Sequence, residues 1–215
     1  MIGWVIEVFY RRLFSAKKWI NPGFLNGPYL PLYGFGVVIM YAVSDLPIAW
    51  WWKQLLFLVL MTAIEYVAGI IFIKGMNIKL WDYSEEWANV QGIICPKFSL
   101  FWTALGAAFL FLIYPPFKVM FEWVGNHAYM CLPIGLLYGI LLTDLGLSLD
   151  IAAKIRAAAK KAKQIVAYEK LKSYIADENK QIGKKRSFLF PFKSKINLRE
   201  HISSFIEKHK KINKQ

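Results

Sequence analysis

Long apolar runs separated by short polar segments are the dominant pattern of this chain. The nearly uncharged runs cover residues 30–44, 55–73, 98–114 and 128–149. A hydrocarbon core about 30 Å thick is crossed by about 20 helical residues, so these runs predict membrane segments. Residues 1–10 are apolar apart from Glu7 but would be only about 15 Å long. They predict a half-span, an interfacial helix, or a first span that lacks its beginning.

The pattern changes beyond Asp150, where apolar residues recur every three or four positions with lysines between them. This spacing is typical of a basic amphipathic helix, which could continue the last span. Asn197 with Glu200 three residues later predicts a capping box for a final helix to about Lys210. We therefore predict an all-α fold, with an integral membrane bundle of about five segments over residues 1–150 and a cytoplasmic basic tail over 151–215.

Charge placement supports this layout and its orientation. Residues 1–150 hold nine Lys/Arg and nine Asp/Glu, whereas 151–215 hold eighteen and five and account for the net charge of +13. With five alternating segments, the loops 11–28 and 74–97 face the same side as the tail and carry four and three basic residues. Since basic loops stay in the cytoplasm, we predict a multi-pass protein of the inner (plasma) membrane with a cytoplasmic C-terminal tail.

Residues 21–36 contain four glycines and three prolines, yet the remaining residues are mainly Phe, Leu and Tyr. This Gly/Pro stretch is too apolar for a flexible linker, and it leads directly into a membrane segment. Irregular backbone at membrane depth persists only where protein buries it or where it lines a wet cavity. The alternative is an ordered cytoplasmic loop that merely starts a helix.

Three carboxylates lie within or beside the apolar runs. Glu65 is the only charge in the run 55–73, near its centre, which predicts a pathway residue or a protonated contact between helices. Glu7 lies four residues before Arg11, so we expect an intrahelical pair, with a pathway role as the alternative. We expect Asp144 to be a hydrated carboxylate one turn from the cytoplasmic surface.

Amides and aromatic residues are concentrated in the two cytoplasmic loops. The candidate binding residues there are Asn21, Asn26, Tyr33, Trp81, Asp82, Tyr83, Asn89 and Gln91. Such groups suit recognition of a polar headgroup or a small solute, and they equally suit pinning two loops together. We predict that the Gly/Pro stretch folds against the W-D-Y-S loop (81–84), forming a cap over a cavity that reaches Glu65.

The basic tail and the absence of ligand-binding motifs in the sequence indicate which partners to expect. The sequence has no metal-ligand spacing and no pattern that implies a cofactor. The basic tail predicts contact with anionic membrane lipids. RNA or an acidic partner protein could attract the same charges, but no RNA-binding signature is present, so we predict no nucleic-acid partner. A homo-oligomer is compatible with the sequence.

Five motifs resemble those of one bacterial membrane family. They are G-W-V-I-E-V-F-Y-R-R (3–12), N-P-G-F-L-N-G-P-Y-L-P-L-Y-G-F-G (21–36), E-Y-V-A-G (65–69), W-D-Y-S (81–84) and N-V-Q-G-I-I-C (89–95). Their order and spacing resemble a family named as ABC-transporter permeases, over residues 3–150. Ile93 and Thr103 replace the Arg and Gly that are usual in the family, and about ten apolar residues usually precede the first motif.

The resemblance implies a transport-related membrane protein. Because the sequence has no P-loop, ATP hydrolysis would belong to a separate ATPase subunit. Two other hypotheses stay open. One is a membrane enzyme acting on a lipid or polyprenyl headgroup, with Glu65, Glu7 and Asp82 as its polar centre. The other is a scaffold that recruits a partner through its tail.

Overall fold

The computed structural model describes residues 1–13, 19–162, 164–181, 192 and 198–212. The chain is mostly helical. Its α-helices are α1 (Ile2–Leu13), α2 (Pro31–Ser44), α3 (Trp50–Ile70), α4 (Pro96–Ala108), α5 (Tyr114–Gly125), α6 (Cys131–Ala162), α7 (Tyr168–Gln181) and α8 (Leu198–Ile212). Short π-helical turns, Ile71–Gly75 and Phe109–Ile113, extend α3 and join α4 to α5, and a 3₁₀ turn, Ala128–Met130, precedes α6.

Three helical segments among the described residues are long and apolar enough to cross a membrane. They are Trp50–Gly75, Pro96–Gly125 and Ala128–Ala162. The shorter apolar helix α2 has 14 residues. The prediction of a helical fold with apolar helices of membrane length is therefore confirmed. The count of five segments and the cytoplasmic tail remain predictions.

The third apolar run is longer than the sequence pattern indicates. In the sequence the run ends at Tyr114, directly before Pro115 and Pro116, but the helical backbone continues to Gly125. Both prolines occupy the first turn of α5, where a helix needs no N–H donor. The π-helical turn Phe109–Ile113 directly before them takes up the interruption of the hydrogen-bond ladder.

The chain divides into two compact units. Unit 1 comprises Met1–Leu30, Gly69–Trp81 and Thr143–Gln215, and unit 2 comprises Pro31–Ala68 and Asp82–Leu142. The boundary that we predict at residue 150, between the membrane bundle and the basic tail, stays a prediction.

The core of unit 2 is formed by side chains from α2, α3 and α4 and from the π-helical turn after α4. Its buried members are Met40, Val43, Phe57, Met61, Trp102 and Phe109. Gly106 of α4 lies directly against the ring of Phe57, since a Cβ at this glycine would be 2.4 Å from Phe57 Cδ2. The absence of a side chain at Gly106 therefore sets how closely α3 and α4 pack.

Unit 1 contains a feature that the all-α prediction missed. Two-residue strands, β1 (Ile78–Lys79) and β2 (Val166–Ala167), pair in parallel with Ile78 opposite Val166. Both of these side chains are buried. The pair joins the end of the α3 segment to the start of α7.

The tail is folded within unit 1. Helices α7 and α8 pack through buried apolar side chains, namely Leu171, Ile175, Ile202, Phe205 and Ile206. His201 Nδ1 lies within hydrogen-bond distance of Glu178 Oε2 across the same helix pair. A final helix is present, as predicted, but its proposed cap Asn197 lies outside the described residues.

Candidate functional site

The first part of the Gly/Pro stretch is an irregular segment organised by one buried amide. Asn21 is 2% exposed, and its Oδ1 accepts hydrogen bonds from the Trp4 indole (2.9 Å) and from Gly23 N (3.3 Å). Its Nδ2 donates to the carbonyls of Leu25 (3.3 Å) and Asn26 (2.8 Å). The side chain of Asn21 thus replaces the backbone hydrogen bonds that a helix would supply. We call Asn21–Gly27 the anchored segment.

Asp144 of α6 binds the other end of the anchored segment. Its carboxylate accepts hydrogen bonds from Gly27 N (2.7 Å), Asn26 N (3.2 Å) and Asn26 Nδ2 (2.9 Å). Ser148, one turn later, contacts both Asp144 and Asn26. Asp144 is only 9% exposed, so our expectation of a hydrated surface carboxylate is wrong. The carboxylate is stabilised by fixed N–H donors in place of water.

Two side chains of α7 satisfy carbonyl groups of the same segment. The Lys172 ammonium donates to the carbonyls of Asn21 (3.1 Å) and Gly23. The Tyr168 hydroxyl donates to the carbonyl of Phe24 (3.2 Å), and its ring lies 4.6 Å from the Lys172 ammonium. Asp144 therefore binds N–H groups of the segment while α7 binds its carbonyls.

Burial and neighbouring charges shift the titration of both α7 residues. Lys172 is 2% exposed, and burial lowers its pKa to about 7. This value also reflects the positive charge of Arg11, which lowers the pKa, and the carboxylates of Glu169 and Asp144, which raise it. Burial also raises the pKa of Tyr168, and the charge of Asp144 acts in the same direction.

A charged triad lies elsewhere in unit 1. Arg11 Nε contacts Glu7 Oε1 at 3.1 Å, which is the predicted pair at a spacing of four residues. The Arg11 guanidinium also pairs with Glu169 of α7. Glu7 is thus part of an ion-pair network that links α1 to α7, and its role in a pathway remains a prediction.

In unit 2, Glu65 lies on the buried stripe of α3. Phe57, Met61, Glu65 and Gly69 are buried at successive four-residue intervals. Glu65 is 3% exposed, and its Oε1 accepts a hydrogen bond from the Tyr83 hydroxyl at 3.1 Å. The Tyr83 ring stacks on Phe98 with centroids 4.2 Å apart. The stacking fixes the phenol, which in turn positions its hydroxyl on the carboxylate.

The other predicted loop residues mainly fold their own loop. Asp82 Oδ1 accepts from Ser84 N at 3.0 Å, and Asn89 accepts from Gly92 N at 2.9 Å. Gln91 and Gly92 have φ angles of 57° and 64°, as a type I′ turn requires. Hydrogen bonds within this one loop therefore account for the printed contacts of Asp82 and Asn89, and a role in binding or in joining two loops stays a prediction.

Two further candidates are aromatic. Tyr33 packs in the core of unit 2, with its ring centroid 5.1 Å from that of Trp102. Trp81 is half-buried and is the last residue of the Gly69–Trp81 segment of unit 1. The predicted cap, which would join the Gly/Pro stretch to the W-D-Y-S loop above Glu65, stays a prediction.

Four residues that hold the anchored segment were not predicted as site residues from the sequence: Asp144, Ser148, Tyr168 and Lys172. The sequence could have identified Asp144, because it is the single acidic residue in a long apolar run. Lys172 and Tyr168 carry no such signal, since one lysine among eighteen basic tail residues is expected on the surface. In the part of the chain that the structure describes, no group of three or more metal-ligating residues is present.

Helices of membrane length, with buried polar residues inside each unit, define a helical membrane protein. Residues 1–149 match the family described as putative ABC-transporter type IV, and the chain belongs to that family. The resemblance seen in the five motifs is thereby confirmed, and the protein is a membrane protein related to transport. No curated protein and no solved structure matches the chain. The match includes the anchored segment, Asp144 and Ser148, and ends before Tyr168 and Lys172.

Proposed function

We propose that this chain is the permease subunit of a transport system in which a separate chain hydrolyses ATP. Family membership and the membrane-length helices support a transport role. The separate ATPase is inferred because the 215-residue sequence contains no P-loop, the element that cradles nucleotide phosphates.

The buried carboxylate of Glu65 carries this proposal. It lies ten residues before the end of the apolar segment Trp50–Gly75, which is about 15 Å along the helix axis. This depth is near the middle of a hydrocarbon core about 30 Å thick. An ionised acid there costs at least about 2.5 kcal/mol, so such residues are placed where they serve a pathway or a partner.

The surroundings of Glu65 favour a substrate with positive charge or with hydrogen-bond donors. Tyr83 holds one carboxylate oxygen, and one turn away Thr62 Oγ1 donates to Ser99 Oγ at 2.8 Å. Together these groups make a polar strip along the contact between α3 and α4. In this proposal Glu65 exchanges its bond to Tyr83 for one to the substrate.

We further propose that the bundle in the plasma membrane has five membrane segments: α1, α2, α3, the α4–α5 pair and α6. The tail and the loop over residues 76–95 then face the cytoplasm, as the placement of basic residues favours. Single-cysteine accessibility in intact cells and in inverted vesicles tests this orientation. Labelling of a cysteine at Trp87 from the outside of intact cells would overturn it.

Purification of the tagged full-length chain from its native membranes tests the subunit assignment. We expect an ATPase chain to copurify and the complex to hydrolyse ATP in nanodiscs. Glu65→Gln should lower substrate-stimulated hydrolysis about tenfold, which corresponds to about 1.4 kcal/mol. Glu86→Gln is the matched control, because Glu86 pairs with Lys97 on an exposed loop.

These experiments test the permease assignment and the role of Glu65 separately. A purified chain without an ATPase would contradict the permease assignment, and turnover of a lipid headgroup by that chain would support the enzyme hypothesis. Equal activity of the Glu65→Gln and Glu86→Gln complexes would leave the permease assignment standing but would exclude Glu65 from the pathway.

A further inference from the structure

The exposed face of α6 changes its chemistry abruptly along the helix. Before residue 150 its exposed side chains are mostly apolar, among them Leu132, Leu136, Leu142, Leu147 and Leu149. After residue 150 the exposed positions include four basic residues, Lys154, Arg156, Lys160 and Lys161. Because the helix is continuous through Ala162, one helix carries both surfaces.

The basic residues lie on the side of α6 that is not packed. Ser148, Ala152, Ile155 and Ala159 are buried at spacings of four, three and four residues, which forms one face. The four basic side chains occupy the remaining directions and are exposed. Asp150 pairs with Lys154 at 2.5 Å, so four positive charges and one negative charge leave a net +3 on this surface.

We propose that this basic surface of α6 binds the anionic headgroups of the membrane that the same helix spans. If the hydrocarbon boundary lies near Leu149, Lys154 and Arg156 are about 8 and 10 Å farther along the axis. The headgroup layer is about 5–7 Å thick, and charges act over a Debye length of about 8–10 Å beyond it. All four residues begin within about 18 Å of the boundary.

The direction of the helix brings the charges closer to the lipid. Every Cα–Cβ bond of an α-helix tilts toward the N-terminus, and the N-terminal part of α6 is the apolar part. The stems of Lys160 and Lys161 therefore point back toward the membrane, which brings their ammonium groups within a Debye length of the headgroup layer. The same residues on a helix that ran into the membrane would point away from it. The inference needs only a membrane-spanning α6, and not the permease assignment.

Lipid selection by the purified full-length chain tests the proposal. The protein is exchanged into mixed micelles of phosphatidylcholine with about three-tenths phosphatidylglycerol, and the retained lipids are counted by mass spectrometry. We expect the retained ratio of anionic to zwitterionic lipid to exceed the added ratio about twofold or more. The variant K154Q/R156Q/K160Q/K161Q should return the ratio to that of the mixture. The charge-conserving variant K154R/R156K/K160R/K161R is the control and should retain the enrichment.

Equal enrichment in the glutamine variant and the wild type would overturn the proposal. It would also be overturned if the glutamine variant kept its lipids but lost an acidic protein or RNA, since the surface would then serve a macromolecular partner. If the glutamine variant does not fold, the salt dependence of lipid enrichment in the wild type tests the proposal instead. Raising salt from about 0.1 M to about 1 M shortens the Debye length from about 10 Å to about 3 Å and should remove the wild-type enrichment. Enrichment that is insensitive to salt would contradict an electrostatic surface.

Discussion

The stability of the protein should rise with pH because of one buried lysine. Lys172 has a pKa of about 7 in the folded chain against an ordinary value of 10.5. Between these two values the unfolded chain binds more protons at this position than the folded chain does. The free energy of unfolding therefore increases with pH in this window. Below about pH 7 the ammonium is buried with its full penalty, and above about pH 10.5 the penalty is gone.

The size of this effect follows from the two pKa values. One pKa unit corresponds to about 1.4 kcal/mol, and from pH 6 to pH 9 the difference in bound protons integrates to about 2–3 kcal/mol. Lys172→Met removes the titrating group while keeping an apolar stem of similar length. This variant loses the hydrogen bonds to the Asn21 and Gly23 carbonyls at every pH, so its stability is lower, but it lacks the lysine's pH dependence.

Unfolding by sodium dodecyl sulfate, followed by far-UV circular dichroism at pH 6, 7, 8 and 9, measures the effect. The wild type and Lys172→Met share every other titrating residue, so the difference between their unfolding free energies isolates Lys172. We expect that difference to grow by about 2–3 kcal/mol from pH 6 to pH 9. A difference that stays constant within about 0.5 kcal/mol would refute the reasoning, because the ammonium would then be hydrated in the folded protein.

Three further predictions concern buried contacts. Asp144→Ala should destabilise the chain by about 3 kcal/mol or more in the same unfolding assay, because Asn26 and Gly27 lose the acceptor of their N–H groups. A loss below about 1 kcal/mol would mean that water replaces the carboxylate. Phe57→Ala should cost about 3–5 kcal/mol through the cavity that it leaves in unit 2, and a smaller cost would show that the core collapses around it. Gly106→Ala should cost about 1–3 kcal/mol, since its methyl group would meet the Phe57 ring. The matched control Gly135→Ala, where a Cβ meets no atom within 4 Å, should be neutral or stabilising.

The positions of the long helices along the chain could be predicted because the cause is local. Apolar runs of membrane length predict helices from composition alone, and the segment Trp50–Gly75 contains the predicted run 55–73. The run 98–114 is shorter than its helix, because Pro115 and Pro116 are accommodated in the first turn of α5. The two-residue strands could not be predicted, since neither is long enough to show a period.

The candidate site was predictable only where a residue departs from its surroundings. Glu65 and the glycines of the Gly/Pro stretch are unusual in an apolar sequence, and the structure places Glu65 on a buried helix face. Lys172 is ordinary in its basic surroundings, and only the fold shows that it reaches backbone carbonyls about 150 positions earlier, those of Asn21 and Gly23. Side chains that act on distant backbone leave no local pattern.

The anchored segment also constrains when the protein can finish folding. The ribosome makes Asn21 151 residues before it makes Lys172, which donates to the Asn21 carbonyl. At about 5–20 residues per second, the segment waits about 8–30 s for that donor. During this interval its carbonyls must stay hydrated, so the segment cannot settle in an apolar environment before the tail arrives. In a chain that stops at residue 150, the carbonyls of Asn21 and Gly23 would never gain the donor that Lys172 supplies. Folding of the anchored segment therefore depends on the tail, which supplies Tyr168 and Lys172 as donors to its carbonyl groups.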